Sequence, residues 1–336
     1  MPFSSAIHNC SVMEAYATST ELRASLAFNI IVALAATPVL LKSIQFIRKT
    51  KVFHVNTRLQ ILVHLYALLL HTVGRLVMHS IDLYNYLTFP SDACEIIPNF
   101  YRCLILRGCY NIGLALSSMC SIALVLERCA AYHSSNNYEN CPKSFGYRLV
   151  FLQFFLAGCY LTSMYFTAAF QPGNFTLYYC QTIASSSGSV WYVIVPIYSV
   201  VVALLVSRVM FWQLMRKCEV LRADSFQTLS CHFIMQQTMR SISALKLLID
   251  LNCFLFVVLS VVVTTLHFHL DQLKPPLYMA LVETTHFLPL YSILVSFAVR
   301  WKLEYIEKQQ QKDFNERIES SHGIENHFAY FLEVIK

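Results

Sequence analysis

The chain is constrained most by an apolar run from Tyr101 to Arg128, YRCLILRGCYNIGLALSSMCSIALVLER. At about 1.5 Å per residue, a helix of this length measures roughly 40 Å, which is enough to cross a bilayer from headgroup to headgroup. The two ends of the run differ, because Cys103 lies near the first end and the charged pair Glu127-Arg128 closes the other. The run is therefore predicted to be a membrane span around which further spans pack.

Composition favours a protein that crosses the membrane several times. Hydrophobic residues make up 56% of the 336 residues and charged residues only 13%, whereas soluble proteins are roughly 25% charged. The length allows about seven spans with short loops and leaves no room for a separate soluble domain of ordinary size. The net charge of +6 is expected from Lys and Arg on cytosolic loops. We therefore predict the lipid bilayer as a partner and no nucleic acid.

Six further apolar runs have the length of a span. With Tyr101 to Arg128 as span 3, they are spans 1, 2, 4, 5, 6 and 7 at about 26–47, 59–81, 149–170, 191–212, 244–266 and 278–299. Span 2 carries four ionisable residues, His64, His71, Arg75 and His79. Such groups are costly within a span unless they face the bundle interior. The predicted fold class is an all-α membrane protein, a seven-transmembrane helix bundle with a polar face of span 2 turned inward.

The distribution of basic residues predicts the orientation. With the N-terminus outside, the inner segments hold 18 Lys or Arg and the outer segments hold 3, which is the bias expected of cytosolic loops. The glycosylation sequons at Asn9 and Asn174 both fall on outer segments under this assignment. The predicted organisation is an extracellular N-terminus at 1–25, a membrane domain at 26–299 and a cytosolic tail at 300–336.

Four of the twelve cysteines, Cys10, Cys94, Cys103 and Cys180, fall on the predicted outer side, where disulfides persist. Sequence alone does not choose among their three pairings. We favour a Cys103–Cys180 bond, because it would hold the loop between spans 4 and 5 across the outer end of span 3. Cys10 and Cys94 are then left as the second possible pair, and the sequence does not determine whether they bond.

Sequence patterns of common catalytic sites are missing from the chain. It contains no G-x-x-x-x-G-K-[ST], no G-x-S-x-G and no H-E-x-x-H. The adjacent Cys231 and His232 lack the spaced partners of a zinc site. We therefore predict a protein that is not an enzyme, with no cofactor and no metal site.

Short motifs are spread along the first three spans. They are Phe53-His54-Val55-Asn56-Thr57, His64, His71, Arg75, His79 with Asp82-Leu83, Arg107, Tyr110-Asn111, Gly113 and Glu127-Arg128. These motifs resemble those of the nematode serpentine chemoreceptors of the Sra superfamily, most of all class AB (Srab), with class alpha as the near neighbour, and the resemblance covers roughly residues 20 to 305. It implies a G-protein-coupled chemosensory receptor (GPCR-like fold) in the plasma membrane of chemosensory neuron endings, with a small-molecule cue and a heterotrimeric G protein as partners.

The same resemblance predicts which residues couple and switch. Glu127 and Arg128 are assigned to G-protein coupling, although Cys129 stands where receptors usually carry a tyrosine. Pro289 and Tyr291 are assigned to a conformational switch, although they lie only two residues apart. The alternatives are a charged anchor at the end of span 3 and a simple proline kink in span 7.

Three charged residues lie at one predicted depth. Arg75, Arg107 and Glu283 are each five or six residues from the outer ends of their spans, about 8 to 9 Å below the surface. Two arginines against one carboxylate leave a spare positive charge, which predicts an acidic or strongly polar ligand. The alternative is that one arginine pairs with Glu283 and the other reaches toward headgroups or Asp82. The predicted ligand-binding residues are Arg75, His79, Arg107, Asn111, Glu283 and His286.

Two other function classes remain open, a seven-span ligand-gated channel and a small transporter or non-signalling partner subunit, of which the second would share this topology. A channel of the insect odorant-receptor type has its N-terminus inside, which the distribution of basic residues opposes. Beyond span 7, the segment 301–317 is predicted to form a short helix lying on the membrane, followed by a flexible tail.

Overall fold

All long elements that the structure describes are α-helices. This computed structural model describes residues 2–50, 52–88, 93–96, 100–134, 138, 141–169, 191–223, 229–269 and 272–334, and none of these residues is in a strand. The helices are α1 (Pro2–Thr18), α2 (Thr20–Lys49), α3 (Val55–Leu87), α4 (Phe100–His133), α5 (Lys143–Ala169), α6 (Trp191–Ala223), α7 (Leu229–Phe268), α8 (Pro275–Thr285) and α9 (Leu288–Val334), with a short 3-10 helix at Ala93–Ile96.

Within the residues that the structure describes, seven helical segments are long and apolar enough to cross a membrane. They correspond to helices α2 to α7 and to the pair α8 and α9 taken together. This confirms the predicted fold class, because each predicted span overlaps one of these segments. Below, the end of the bundle at Cys103 is called the outer end and the end at Arg128 the inner end, after the predicted orientation.

Two adjacent helices, α3 and α4, lie at the centre of the bundle. Helix α4 contacts α3, α5, α6 and α7, and helix α3 contacts α1, α2, α4, α5 and α9. Span 3, which is α4, thus shares the central position with α3. The four ionisable residues of α3 within predicted span 2, His64, His71, Arg75 and His79, are all fully buried, as the cost of exposing them to lipid requires.

Gly113 brings the two central helices close together. A Cβ atom at this position would lie 2.5 Å from the carbonyl oxygen of Ala67 and 2.6 Å from the backbone nitrogen of His71. Only a glycine allows α4 to approach the backbone of α3 to this distance. The close approach places the polar residues of α3 and α4 within hydrogen-bonding distance of each other.

Helix α1 covers the outer end of the bundle, where sequence analysis assigned no structure. Ser19 separates α1 from α2 and accepts a hydrogen bond from the backbone N–H of Leu22 at 3.2 Å, as the N-cap of α2. Met13 and Tyr16 of α1 are buried against Leu26 of α2 and Tyr278 of α8.

The seventh span is divided into α8 and α9 by two non-helical residues, His286 and Phe287. Helix α9 then continues without a break from Leu288 to Val334. The prediction of a separate surface helix at 301–317 followed by a flexible tail was therefore wrong. Leu303 and Ile306 are buried in the inner core instead, so the start of the predicted surface helix packs against the bundle.

Candidate functional site

One carboxylate from α8 holds two arginines from the central helices. Arg75 Nη2 on α3 lies 2.9 Å from Glu283 Oε2, and Arg107 Nη2 on α4 lies 2.8 Å from Glu283 Oε1. All three side chains are buried. Both arginines therefore bind Glu283, and the alternative in which one of them reaches outward was wrong. The cluster keeps a formal charge of +1 from these three groups.

His79 supports Arg75 from one helical turn away. Arg75 Nε donates to His79 Nε2 at 3.0 Å, which is the i,i+4 relation that places two side chains on one helix face. Because Nε2 accepts this hydrogen bond, it does not donate to Glu283 Oε2, which lies 3.5 Å away. His79 therefore orients the guanidinium of Arg75.

Arg75 also satisfies the backbone at the break in the seventh span. Its Nη1 donates to the carbonyl oxygen of His286 at 2.5 Å, and its Nη2 donates to that of Glu283 at 2.8 Å. The Glu283 carbonyl is available because the chain is not helical at His286 and Phe287, and the backbone N–H of Phe287 donates to the carbonyl of Thr285 instead. A buried carbonyl needs a donor; Arg75 supplies one to both carbonyls, and Asn29 Nδ2 also donates to that of Glu283 at 3.3 Å.

A cavity opens beside Arg107, between α4, α5, α6 and α7. Its volume, measured to the centres of water-sized spheres, is about 60 Å³, several times the roughly 10–15 Å³ that one water requires on this measure. Three predicted ligand-binding residues line it, Arg107, Asn111 and His286, together with Tyr110, Tyr160, Ser118 and Ser260 and a majority of apolar side chains such as Phe256. The other three, Arg75, His79 and Glu283, do not line the cavity.

The geometry divides the six predicted ligand-binding residues into two layers. Arg107 reaches both layers, because its Nη2 bonds Glu283 while its Nη1 donates to the Tyr110 hydroxyl at 2.9 Å. Arg75 lies behind it with Nε, Nη1 and Nη2 all hydrogen-bonded. An anion in the cavity would therefore reach Arg107 and would not reach Arg75.

A second buried cluster lies at the inner end of α4. Arg128 Nε and Nη2 donate to the two carboxylate oxygens of the adjacent Glu127 at 2.5 Å each. Arg128 Nη2 also donates to Thr57 Oγ1 on α3 at 2.5 Å, and Thr57 Oγ1 donates to Glu127 Oε1 at 2.9 Å. Glu127 and Arg128 are 0% and 2% exposed. The pair is therefore packed in the bundle and does not act as an exposed anchor at a membrane edge.

Tyr138, in the segment between α4 and α5, completes this cluster. Its hydroxyl donates to Glu127 Oε1, and the Arg128 guanidinium lies 5.7 Å from the centre of its ring. Burial and the charge of Glu127 raise the pKa of the Tyr138 phenol above its ordinary value, so it remains a hydrogen-bond donor at neutral pH. Sequence analysis missed Tyr138, because eleven residues and a loop separate it from Glu127 and no motif marks it.

The predicted switch residues lie between the two clusters. Pro289 follows the break between α8 and α9, and Tyr291, two residues further on, is buried. The hydroxyl of Tyr291 is 3.4 Å from His64 Nε2 on α3. The seventh span is thus connected to α3 twice, through Arg75 above Pro289 and through His64 below it.

The disulfide and glycosylation predictions fall partly on residues that the structure does not describe. Cys103 near the start of α4 and Cys10 on α1 are both disulfide-bonded. Cys180 and Asn174 lie outside the described residues, so the Cys103–Cys180 pairing and glycosylation of Asn174 stay predictions. Asn9 lies in α1, and its glycosylation also stays a prediction.

The described part of the chain has seven membrane-capable helical segments, a buried charge cluster beside an outer cavity and a buried Glu-Arg pair at the inner end. These features define a seven-helix membrane protein of the receptor type. The family model for the serpentine type 7TM GPCR receptor class ab chemoreceptors matches residues 7–336, so the chain belongs to that family. The resemblance found in the sequence motifs is thereby confirmed, and the family is one of chemoreceptors and not of enzymes. The comparison with curated proteins gave no match.

Proposed function

We propose that this chemoreceptor binds an external acidic small molecule in the cavity beside Arg107 and activates a heterotrimeric G protein at its inner end. The observation that carries the proposal is the position of Arg107, which lines the cavity and also bonds Glu283. Its planar guanidinium suits a carboxylate or a phosphate. Asn111 and His286 line the same cavity and would lie beside the ligand.

Competition for Arg107 connects ligand binding to the seventh span. A carboxylate in the cavity would take part of the hydrogen bonding that Arg107 now gives to Glu283 Oε1. Glu283 lies next to the break that Arg75 holds through two backbone carbonyls. Ligand binding would therefore change the contacts that fix α8 relative to α3 and α4. A ligand shifts the equilibrium between two arrangements of these helices only if it binds one arrangement more tightly than the other.

At the inner end, the proposal assigns Arg128 to G-protein coupling. In the observed arrangement Arg128 is held by Glu127 and Thr57, so its guanidinium is turned into the bundle and is not available to a partner. Activation would require these hydrogen bonds to break. The buried pair therefore fits a receptor at rest.

The experiment compares acids with their neutral amides in cells that carry a calcium or cyclic-nucleotide reporter and a surface-expressed receptor. We expect a subset of small carboxylic acids to activate the receptor and the matched amides to be inactive. Arg107→Gln should raise the half-maximal concentration of an active acid tenfold or more, since a hydrogen bond to a charged group contributes about 1.5 to 3 kcal/mol. Arg300→Gln, an exposed arginine on α9, is the matched control and should respond like wild type. An Arg107→Gln receptor with unchanged sensitivity, or activation by an uncharged hydrocarbon alone, would contradict the proposed site.

A further inference from the structure

A charged groove on the outside of the bundle plays no part in the site described above. It lies between α6 and α7 and is formed by Arg208 and Trp212 on α6 and by Lys246 and Asp250 on α7; we call it the α6–α7 groove. Its volume on the same measure is about 450 Å³. Arg208 Nε bonds Asp250 Oδ1 at 2.6 Å, and the two side chains are 57% and 33% exposed. An ion pair so exposed on a membrane-spanning surface needs an explanation.

The spacing of these residues builds a continuous positive face. Arg208, Trp212 and Arg216 are four residues apart along α6, as are Lys246 and Asp250 along α7, so each set lies on one side of its helix. Arg216 stacks on Trp212, with its guanidinium carbon 3.8 Å from the ring centre. Two cations, Arg208 and Lys246, line the groove with one carboxylate, Asp250, for a formal charge of +1, and Arg216 adds a further positive charge at its edge beside Trp212.

The groove lies in the inner half of the bundle. Cys218 on α6 interacts electrostatically with Arg128 and Cys129 of α4, which fixes its level near the inner end. Arg208 precedes Cys218 by ten residues, or about 15 Å along the helix, and Arg216 by only about 3 Å. The cations therefore run from the inner membrane boundary into the bilayer, within reach of a headgroup drawn slightly inward.

Charge and shape together favour one occupant. We propose that the α6–α7 groove binds an anionic phospholipid of the inner leaflet, with its headgroup at Lys246 and Arg216 and an acyl chain against the exposed apolar side chains of Leu205 and Val209. A basic pocket between membrane-spanning helices is suited to such a headgroup. A second copy of the chain is disfavoured, because a two-fold contact would place this positively charged face against itself.

The test uses Trp212 as a reporter of bound lipid. The chain has three tryptophans, and Trp191→Phe with Trp301→Phe leaves Trp212 alone. The variant with these two substitutions is reconstituted in two sets of phosphatidylcholine nanodiscs. One set contains about 10% acyl-brominated phosphatidylserine, and the other contains the same amount of acyl-brominated phosphatidylcholine. We expect Trp212 to be quenched several-fold more by the serine lipid. Lys246→Gln should reduce the relative affinity for the serine lipid by about fivefold, as expected for loss of one basic residue near an anionic headgroup.

Two variants keep this test decisive. Lys246→Gln leaves the Arg208–Asp250 pair intact and is chosen for that reason, because Arg208→Gln would expose an unpaired carboxylate and risk misfolding. Arg300→Gln removes an exposed basic residue of α9 that does not line the groove, and it should leave the quenching unchanged. Equal quenching by the two brominated lipids, or an unaltered preference in Lys246→Gln, would overturn the proposal. Protection of Trp212 from both lipids together with energy transfer between labelled receptors would assign the groove to a second copy and overturn it as well.

Discussion

Glu283 balances two buried arginines that have different surroundings. Arg107 touches the cavity, whereas Arg75 is fully buried and hydrogen-bonds two backbone carbonyls and His79. Removing one partner of a buried charge pair leaves the other charge without compensation, which costs about 3 to 5 kcal/mol. The two arginines should therefore respond differently to the same substitution, one through ligand sensitivity and the other through stability.

Arg75→Gln is expected to destabilise the receptor because it leaves the carbonyls of Glu283 and His286 without their guanidinium donor. The melting temperature in detergent and the surface level should both fall clearly below those of Arg107→Gln, which retains the backbone contacts of Arg75. Arg300→Gln serves again as the exposed control. A stable, well-expressed Arg75→Gln receptor whose only defect is ligand sensitivity would show that Arg75 contacts the ligand directly.

Tyr138 contacts both residues of the inner pair, Glu127 through its hydroxyl and Arg128 through its ring. Tyr138→Phe removes the hydroxyl that donates to Glu127 and should weaken the hold of Glu127 on Arg128, which raises signalling without ligand. Because the pKa of Tyr138 is raised in the folded protein, the stability from this hydrogen bond is fully present below the unfolded phenol value of about 10. It is lost only as the pH rises through the folded value, so basal signalling of the wild type should not vary through Tyr138 between about pH 6 and 9.

Arg128→Ala provides the comparison for Tyr138→Phe. We expect this variant to reach the cell surface and to fail in nucleotide exchange on the G protein. Surface labelling and exchange are measured on the same membranes. Normal coupling by a well-expressed Arg128→Ala receptor would show that the buried pair serves packing alone. Unchanged basal signalling by Tyr138→Phe would show that the Tyr138 hydroxyl does not stabilise the resting state.

At the scale of elements, the contact between α3 and α4 positions both clusters. Each helix contributes one arginine to the outer cluster, and Thr57 of α3 meets Glu127 and Arg128 of α4 at the inner end. His71 Nδ1 also bonds the carbonyl of Tyr110 across the same contact at 3.0 Å. Helix separation here would disturb the two sites together.

Gly113→Ala is expected to force α3 and α4 apart, because the added methyl group would meet backbone atoms at 2.5 and 2.6 Å. Overpacking of this kind costs about 1 to 3 kcal/mol. Gly158→Ala on α5 is the matched control, since nothing lies within 4 Å of its added Cβ. Thermal unfolding in detergent should show a lower midpoint for Gly113→Ala alone. Equal midpoints for the two variants would mean that the close contact is not required.

At the scale of the whole molecule, α4 connects the two proposed sites. Arg107 and Arg128 are 21 residues apart on one helix, which is about 31 Å. The outer part of the same helix carries the disulfide-bonded Cys103, and α1 with its disulfide-bonded Cys10 covers the outer end. Covalent bonds therefore restrain the end at which a ligand would enter.

The Cys103–Cys180 pairing predicts a particular pattern of losses. Cys103→Ser and Cys180→Ser should each lower surface expression to a similar extent, and the double variant should be no worse than either single one, because both remove the same bond. Flow cytometry on an external tag measures the surface level. Fully additive losses would show that the two cysteines do not share a disulfide.

The sequence by itself determined the seven spans, the inward polar face of α3 and the family, because apolar length and short motifs are local properties of the chain. It also predicted that Arg75, Arg107 and Glu283 lie at one depth in the membrane, since depth follows from the rise per residue of a helix.

Only the tertiary structure decided which of these charges meet and what else they touch. Helix rotation and the glycine contact between α3 and α4 place both arginines on one carboxylate, turn only Arg107 toward the cavity and leave Arg75 to hold the break before Pro289. Tyr138 reaches Glu127 through the fold of a loop. Contacts between distant segments depend on packing that no local pattern encodes, and for this reason the two layers of the site became visible only in three dimensions.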